Sequence, residues 1–248
     1  MDKLEINMPL RLTLLILLTT LFGCTKEFYT VVNKGVGGNT THDLLKRVEQ
    51  DVISMDPDIV VIMAGTNDMV NSGKLISYRD FRENYQTIIK KLTAPGRSII
   101  LMSSPPIDTS YLFKRHDRNV FSEDPNSKID SANRIVSHMA SDHALHFIDI
   151  NSAFRDRNSP NPEASSLIMN YSNSQKEDGI HPTKEGYRLI AKEVYQLLKK
   201  KHLLTENCTI VCFGDSITFG AFMDGAGTVE GETYPAMLKK LLLPDLHP

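Results

Sequence analysis

A chain of 248 residues with 41% apolar and 23% charged residues has the make-up of a soluble globular protein. It is long enough to bury a core without disulfide or metal staples, and its net charge of -2 offers no basic surface to nucleic acid. No internal repeat or low-complexity tract divides it, so one domain is expected.

The first element is an apolar stretch, Leu12 to Phe22 (LTLLILLTTLF), which follows Arg11 and stops at Gly23-Cys24. It is too short to cross a bilayer as a helix, which takes about 20 residues, and it fits the core of a signal peptide. Leu-Phe-Gly-Cys resembles the lipobox of bacterial lipoproteins, in which the cysteine is lipidated after cleavage. Phe22 is unusual in that box, and Asp2 and Glu5 cancel the charge of a leader. Residues 1–24 are therefore expected to be a leader ending at Cys24. They would direct the protein to the cell envelope or periplasm and attach it to a membrane through an N-terminal lipid. An unprocessed chain, with this stretch as a buried helix, would stay in the cytoplasm. Residues 25–248 form the expected single catalytic domain.

From Phe28 onward β-rich runs alternate with helical ones. Strands are predicted at Phe28–Val32, Asp58–Ala64, Ser98–Ser103, Leu145–Ile150 and Thr209–Phe213. Most are nearly continuous apolar runs, the pattern of strands covered on both faces. His146 and Asp149 interrupt the fourth, which suits a sheet edge. Between them, Leu44, Leu45, Val48, Val52 and Met55 recur at helical spacing. So do Phe81, Tyr85, Ile88, Ile89 and Leu92, then Tyr187, Ile190, Val194, Leu197 and Leu198, with a last helix over Met237, Leu238, Leu241 and Leu242. This alternation predicts an α/β fold with a parallel, doubly wound sheet. Residues 104–128 and 151–177 read as long loops. In the first, Lys114-Arg115-His116-Asp117-Arg118 reads as a solvated loop face, with an anion-contacting lid as the alternative. Cys208 and Cys212 lie on one strand about 13 Å apart, at roughly 3.3 Å per residue. That is too far for a disulfide, so they are expected to be buried free thiols.

Four stretches stand at strand ends or just ahead of a helix: Asn33–Thr40 (NKGVGGNT), Gly65–Asp68 (GTND), Asp178–Pro182 (DGIHP) and Gly214–Ser216 (GDS). In a parallel sheet all strands end on one edge, where ligands bind. Ser216 offers a hydroxyl that becomes nucleophilic when a base takes its proton. His181 is the natural base, and Asp178, three residues earlier, can turn back to hold its imidazole. Backbone N–H groups of Ser216 and Gly38 and the amide of Asn67 could receive an oxyanion.

These blocks resemble the SGNH, or GDSL, hydrolase superfamily. Gly-Asp-Ser-Ile-Thr is similar to its first block, Gly-Val-Gly-Gly-Asn-Thr to its second, Gly-Thr-Asn-Asp to its third and Asp-Gly-Ile-His-Pro to its fifth. The resemblance implies a flavodoxin-like three-layer α/β/α sandwich on a five-stranded parallel sheet. It implies ester hydrolysis through an acyl-enzyme, without metal or cofactor, on a small ester such as that of a sugar or lysolipid. It also implies Ser216 as nucleophile, His181 as base, Asp178 as its orienter, and Gly38 and Asn67 in the oxyanion hole. The serine block comes last here, whereas the family begins with it, which looks like a circular permutation. For Ser216 to meet both Gly38 and Asn67 the last strand should lie between the first two, giving the order 1-5-2-3-4. An acyltransferase with the same triad, or a silent ester- or glycan-binding module, remains open at this point, as does the oligomeric state.

Other clusters carry less. Gly35-Val36-Gly37-Gly38-Asn39-Thr40 begins like a dinucleotide fingerprint, but Thr40 replaces its last glycine. His138, His143 and His146 with Asp142 do not have zinc spacing and read as a solvated helix end. His42 reads as a first-turn helix residue, and Asp68 and Asp215 as surface or loop-bracing acids.

Overall fold

The computed structural model describes residues 29–243. Leu12–Phe22, Cys24 and Phe28 lie outside the described residues. The strands are β1 (Tyr29–Gly35), β2 (Ile59–Met63), β3 (Ser98–Met102), β4 (His146–Ile148) and β5 (Cys208–Gly214). They form one sheet in the order β1-β5-β2-β3-β4, parallel throughout. The order is the one expected from the chemistry, and the interrupted fourth strand is at the edge.

The helices are α1 (Thr41–Asp51), α2 (Thr66–Val70), α3 (Tyr78–Leu92), α4 (Thr109–Arg115) and α5 (Pro125–Asp142). They are followed by α6 (Ile150–Arg155), α7 (Tyr171–Ser174), α8 (Lys184–Lys200), α9 (Ser216–Phe219) and α10 (Tyr234–Leu242). The longer ones start where a side chain can receive an orphan backbone N–H: Thr40 caps α1, Ser77 caps α3, Thr183 caps α8 and Thr233 caps α10. At α1 the cap is reciprocal, since the Asp43 carboxylate accepts a hydrogen bond from the Thr40 N–H.

Alternation along the strands builds the three layers. Val60 and Ile62 of β2 face α1, α3 and α5, whereas Ile59, Val61 and Met63 face α8 and α10. All five are buried, and each such side chain contributes about 1.5–3 kcal/mol by leaving water. Cys208 and Cys212 are buried free thiols on β5, their pKa values pushed by burial up to about 11 and about 12.

Two expectations need correction. The segments read as long loops carry α4, α6, α7 and the first turn of α5, too short or too polar to show a helical stripe. The fourth strand keeps only His146–Ile148, because Asp149 caps α6 by accepting the N–H of Ser152.

Candidate active site

Register places the rim. Gly214, the last residue of β5, pairs with Gly35 of β1 on one side and Met63 of β2 on the other. The chain beyond each strand therefore leaves the same edge, carrying Ser216, Gly38 and Asn67. A side chain at Gly214 would run into the Met63 carbonyl and Thr218, so the strand closes to a tight turn only with glycine there. Asp215 caps that turn: its Oδ1 accepts the Ile217 N–H at 2.9 Å. Ser216 opens α9 and is partly exposed. As the first helical residue, its N–H has no intrahelical acceptor.

His181 and Asp178 come from the turn before α8. Gly179 takes φ +74°, and a Cβ there would stand 2.6 Å from the Asp108 carbonyl, so the turn requires glycine. Asp178 Oδ1 accepts the backbone N–H of Ile180 at 2.9 Å and of His181 at 2.6 Å. The same carboxylate lies 2.9 Å (Oδ2) and 3.0 Å (Oδ1) from His181 Nδ1, while Nε2 lies 2.9 Å from Ser216 Oγ. With Nδ1 protonated and donating to Asp178, Nε2 is free to accept the serine proton. Burial alone would push the Asp178 carboxyl up. The His181 hydrogen bond and charge, the His181 N–H and Arg115 together outweigh burial and hold it below its ordinary value.

Arg115 was not anticipated. From the end of α4 it sets Nη1 3.2 Å from Asp178 Oδ2 and donates from Nη2 to the Asp178 carbonyl at 2.6 Å. Beside it Lys114 pairs with Glu177 at 2.6 Å. Residues 114–118 are largely exposed, as read from the sequence, and Lys114 and Arg115 make these ion pairs as well. They hold two successive residues, Glu177 and Asp178, each 63 positions further along the chain.

The rim loop after β1 is braced from several sides. Gly38 adopts φ +74°, and its carbonyl accepts from Lys74 Nζ at 2.6 Å. Asn67 donates one amide N–H to the Asn39 carbonyl at 3.0 Å, which directs the side chain and leaves its second N–H. Arg47 of α1 ties Asn39 Oδ1 (2.7 Å), the Lys34 carbonyl (3.0 Å) and the Gly214 carbonyl (2.7 Å) into one support. Nothing in the spacing of α1 singled it out.

Asp68 and Asp215 are fully buried rather than at the surface. Asp68 braces the rim loop by accepting the Thr41 N–H at 3.0 and 3.1 Å and the Thr41 hydroxyl. Asp215 Oδ2 is buried with no hydrogen-bond partner, and burial pushes this carboxyl up to about 7. His138 and His143 stand exposed at the end of α5. Among the described residues no group of three or more His, Cys, Asp or Glu is placed to hold a metal. His42 is exposed in the first turn of α1.

Comparisons with known proteins show the family and the fold. A model of the GDSL-like lipase/acylhydrolase family matches residues 17–189. The chain belongs to that family. The matched span holds the Gly38, Asn67 and His181 blocks; Ser216 lies beyond it. An acetylxylan esterase of Geobacillus stearothermophilus is 29% identical over 163 residues, 65% of this chain and 68% of that protein. A lipoprotein of Bacillus subtilis, YqeF, described as uncharacterized, is 39% identical over 80 residues, covering 31% of this chain and a third of its own length (33%). Among solved structures, the lipase/acylhydrolase from Enterococcus faecalis superposes with a TM-score of 0.53 at 26% identity, covering 66% of this chain and 72% of that one. The GDSL-like frame is therefore an α/β fold on a five-stranded parallel sheet, as expected.

Proposed function

We propose that this GDSL-family chain is a serine esterase that hydrolyses short-chain carboxylic esters of a sugar or similar small alcohol. The observation that carries the reading is the continuous chain Ser216 Oγ, His181 Nε2, His181 Nδ1, Asp178, with both links at 2.9 Å. Ser216 Oγ attacks the ester carbonyl carbon while His181 Nε2 takes its proton, and Asp178 holds the resulting imidazolium. The negative charge on the carbonyl oxygen is received by the N–H groups of Ser216 and Gly38 and the amide of Asn67. Collapse breaks the bond to the alcohol, whose oxygen takes the proton from His181. Water then attacks the acyl-enzyme with His181 again as base, releasing the acid and restoring Ser216.

The substrate class is supported by the acetylxylan esterase relative. Hydrolysis of p-nitrophenyl acetate, with a burst of acyl-enzyme and its loss in Ser216→Ala, tests the chemistry. An intact chain that binds esters without turnover would make it a binding module, and faster acyl transfer to an added alcohol than to water would make it a transferase.

Two further parts of the reading concern the chain. The serine block at residues 214–216, placed after the others, is a circular permutation of the family order. Its support is that β5 enters between β1 and β2, and that α10 packs beside β1. A chain rejoined with residues 205–243 ahead of Tyr29 through a flexible linker should fold and hydrolyse the same esters. Cys24 is the lipidated residue of a leader, supported by Leu-Phe-Gly-Cys and by the partial likeness to a lipoprotein. Labelled palmitate incorporated by the wild type and lost in Cys24→Ser tests it.

A further inference from the structure

Phe222 is an exposed aromatic in contact with the proposed base. Its ring meets His181 edge to face, with centroids 5.2 Å apart at 83°, yet 53% of the residue is open to solvent. Its backbone is held at φ +68°, a region that a bulky residue occupies only at a cost. Lys176 places its ammonium 4.9 Å from the ring centroid. Next to this shelf lies a cleft of ≈ 430 Å³ walled by Leu167, Met169, Thr183 and Met223 among others. A large aromatic kept in a strained conformation and left in water gains little for stability, which points to a ligand contact.

Which half of an ester would lie there follows from proton traffic. The alcohol oxygen must reach His181 Nε2 to be protonated as it leaves, whereas the carbonyl oxygen must face Gly38 and Asn67. The shelf touches the imidazole, and the cleft is joined to His181 through its backbone. Phe222 packs on its ring, Met169 donates its N–H to the His181 carbonyl at 2.8 Å, and Thr183 stands two residues beyond. Leu167, Met169 and Met223 give the cleft apolar walls, Asn173, Thr183 and Glu185 give it polar ones, and Lys176 lies against Phe222 beside it. An aromatic face beside walls that are part apolar and part hydrogen-bonding suits a ring that has an apolar C–H face and hydroxyls around it.

Building on the esterase reading above, we propose that Phe222 and the cleft beside Met223 form the site for the alcohol half of the ester, accepting a pyranose-like ring stacked on Phe222. The test is a pair of ester series on the full chain. In one the acyl group stays acetyl and the alcohol runs from ethanol to acetylated xylose and xylobiose. In the other the alcohol stays p-nitrophenol and the acyl chain lengthens from acetate to octanoate. Phe222→Gly, which also relieves the backbone, should lower kcat/KM for the acetylated sugars by about tenfold, mainly through KM. It should leave ethyl acetate within about twofold and the acyl-length preference unchanged. Phe222→Tyr should restore the sugar esters.

A shift in acyl-length preference would place the acyl chain in the cleft and overturn the assignment. An equal fall for every ester, ethyl acetate included, would reduce Phe222 to a support for His181 and also overturn it. Both results leave the esterase reading standing. A wild-type chain inert toward both series overturns that reading and the assignment together.

Discussion

Arg115 holds Asp178 at two points, carboxylate and carbonyl, although the two residues belong to segments with no local relation. The contact fixes both the direction and the charge of the acid that orients His181. Arg115 is half exposed, so its value lies in geometry and charge at the site more than in stability.

Arg115→Ala should lower kcat/KM by about tenfold, with Arg115→Lys intermediate because it keeps the charge without the two-point grip. Arg115 is one of the causes that hold the Asp178 carboxyl below its ordinary value. Without the guanidinium that carboxylate takes up a proton at higher pH, so the acid limb of kcat/KM should move upward. Rate–pH profiles of the three proteins check this; a lower rate with an unmoved acid limb would leave Arg115 a steric role alone.

Ser216→Ala and His181→Ala should each remove about 10³-fold or more of esterase turnover. Ser216→Ala should change thermal unfolding little, whereas His181→Ala also takes a hydrogen-bond partner from the buried Asp178 carboxylate and should lower stability moderately. Near-full turnover by Ser216→Ala would end the proposed mechanism.

Asn67→Ala should cost kcat about 10²–10³-fold while leaving KM close to the wild type, since the donor acts on the oxyanion. The variant also loses the hydrogen bond to the Asn39 carbonyl. Both N–H groups sit on one amide nitrogen, so a thermal unfolding scan beside the kcat-against-KM split separates the two effects: a lost brace shows in stability, a lost oxyanion donor in kcat. If Asn67→Ala lost stability with kcat little changed, the rim-bracing role would be the relevant one.

Asp215 gives a stability prediction with a definite sign. Burial raises its carboxyl from 3.8 to about 7; the Ile217 N–H and His181 work against that, and Asp68 adds to it. The folded chain therefore retains a proton that the unfolded chain releases. This contribution is fully present below 3.8 and is lost as pH rises through about 7. Asp215→Asn mimics the neutral acid and keeps the acceptor for Ile217. Its urea stability should gain on the wild type as pH rises across that window. Parallel pH dependences for the two proteins would show that Asp215 is ionised throughout.

Much of the fold and the candidate site is legible along the chain because the signals are local. The buried strand runs and helical stripes depend on neighbours within a few residues, as in Ile59–Met63 and in Phe81, Tyr85, Ile88 and Ile89. Asp178 and His181 meet across one short turn, so their spacing already implies the contact. The short helices α4 and α7 escape such reading, since one or two turns are too short to repeat a stripe. Side-chain contacts across the fold escape it for a different reason. Arg47 reaches the Gly214 carbonyl 167 residues away, and Phe222 meets His181 only after α9 and the turn before α8 are packed side by side. Asp68 and Asp215 read as surface or loop-bracing acids in sequence, and only the layers that close over them decide between the two. Residue types and local geometry thus determined which groups could do the chemistry. The packing of distant segments on one sheet edge decided which groups hold them in place.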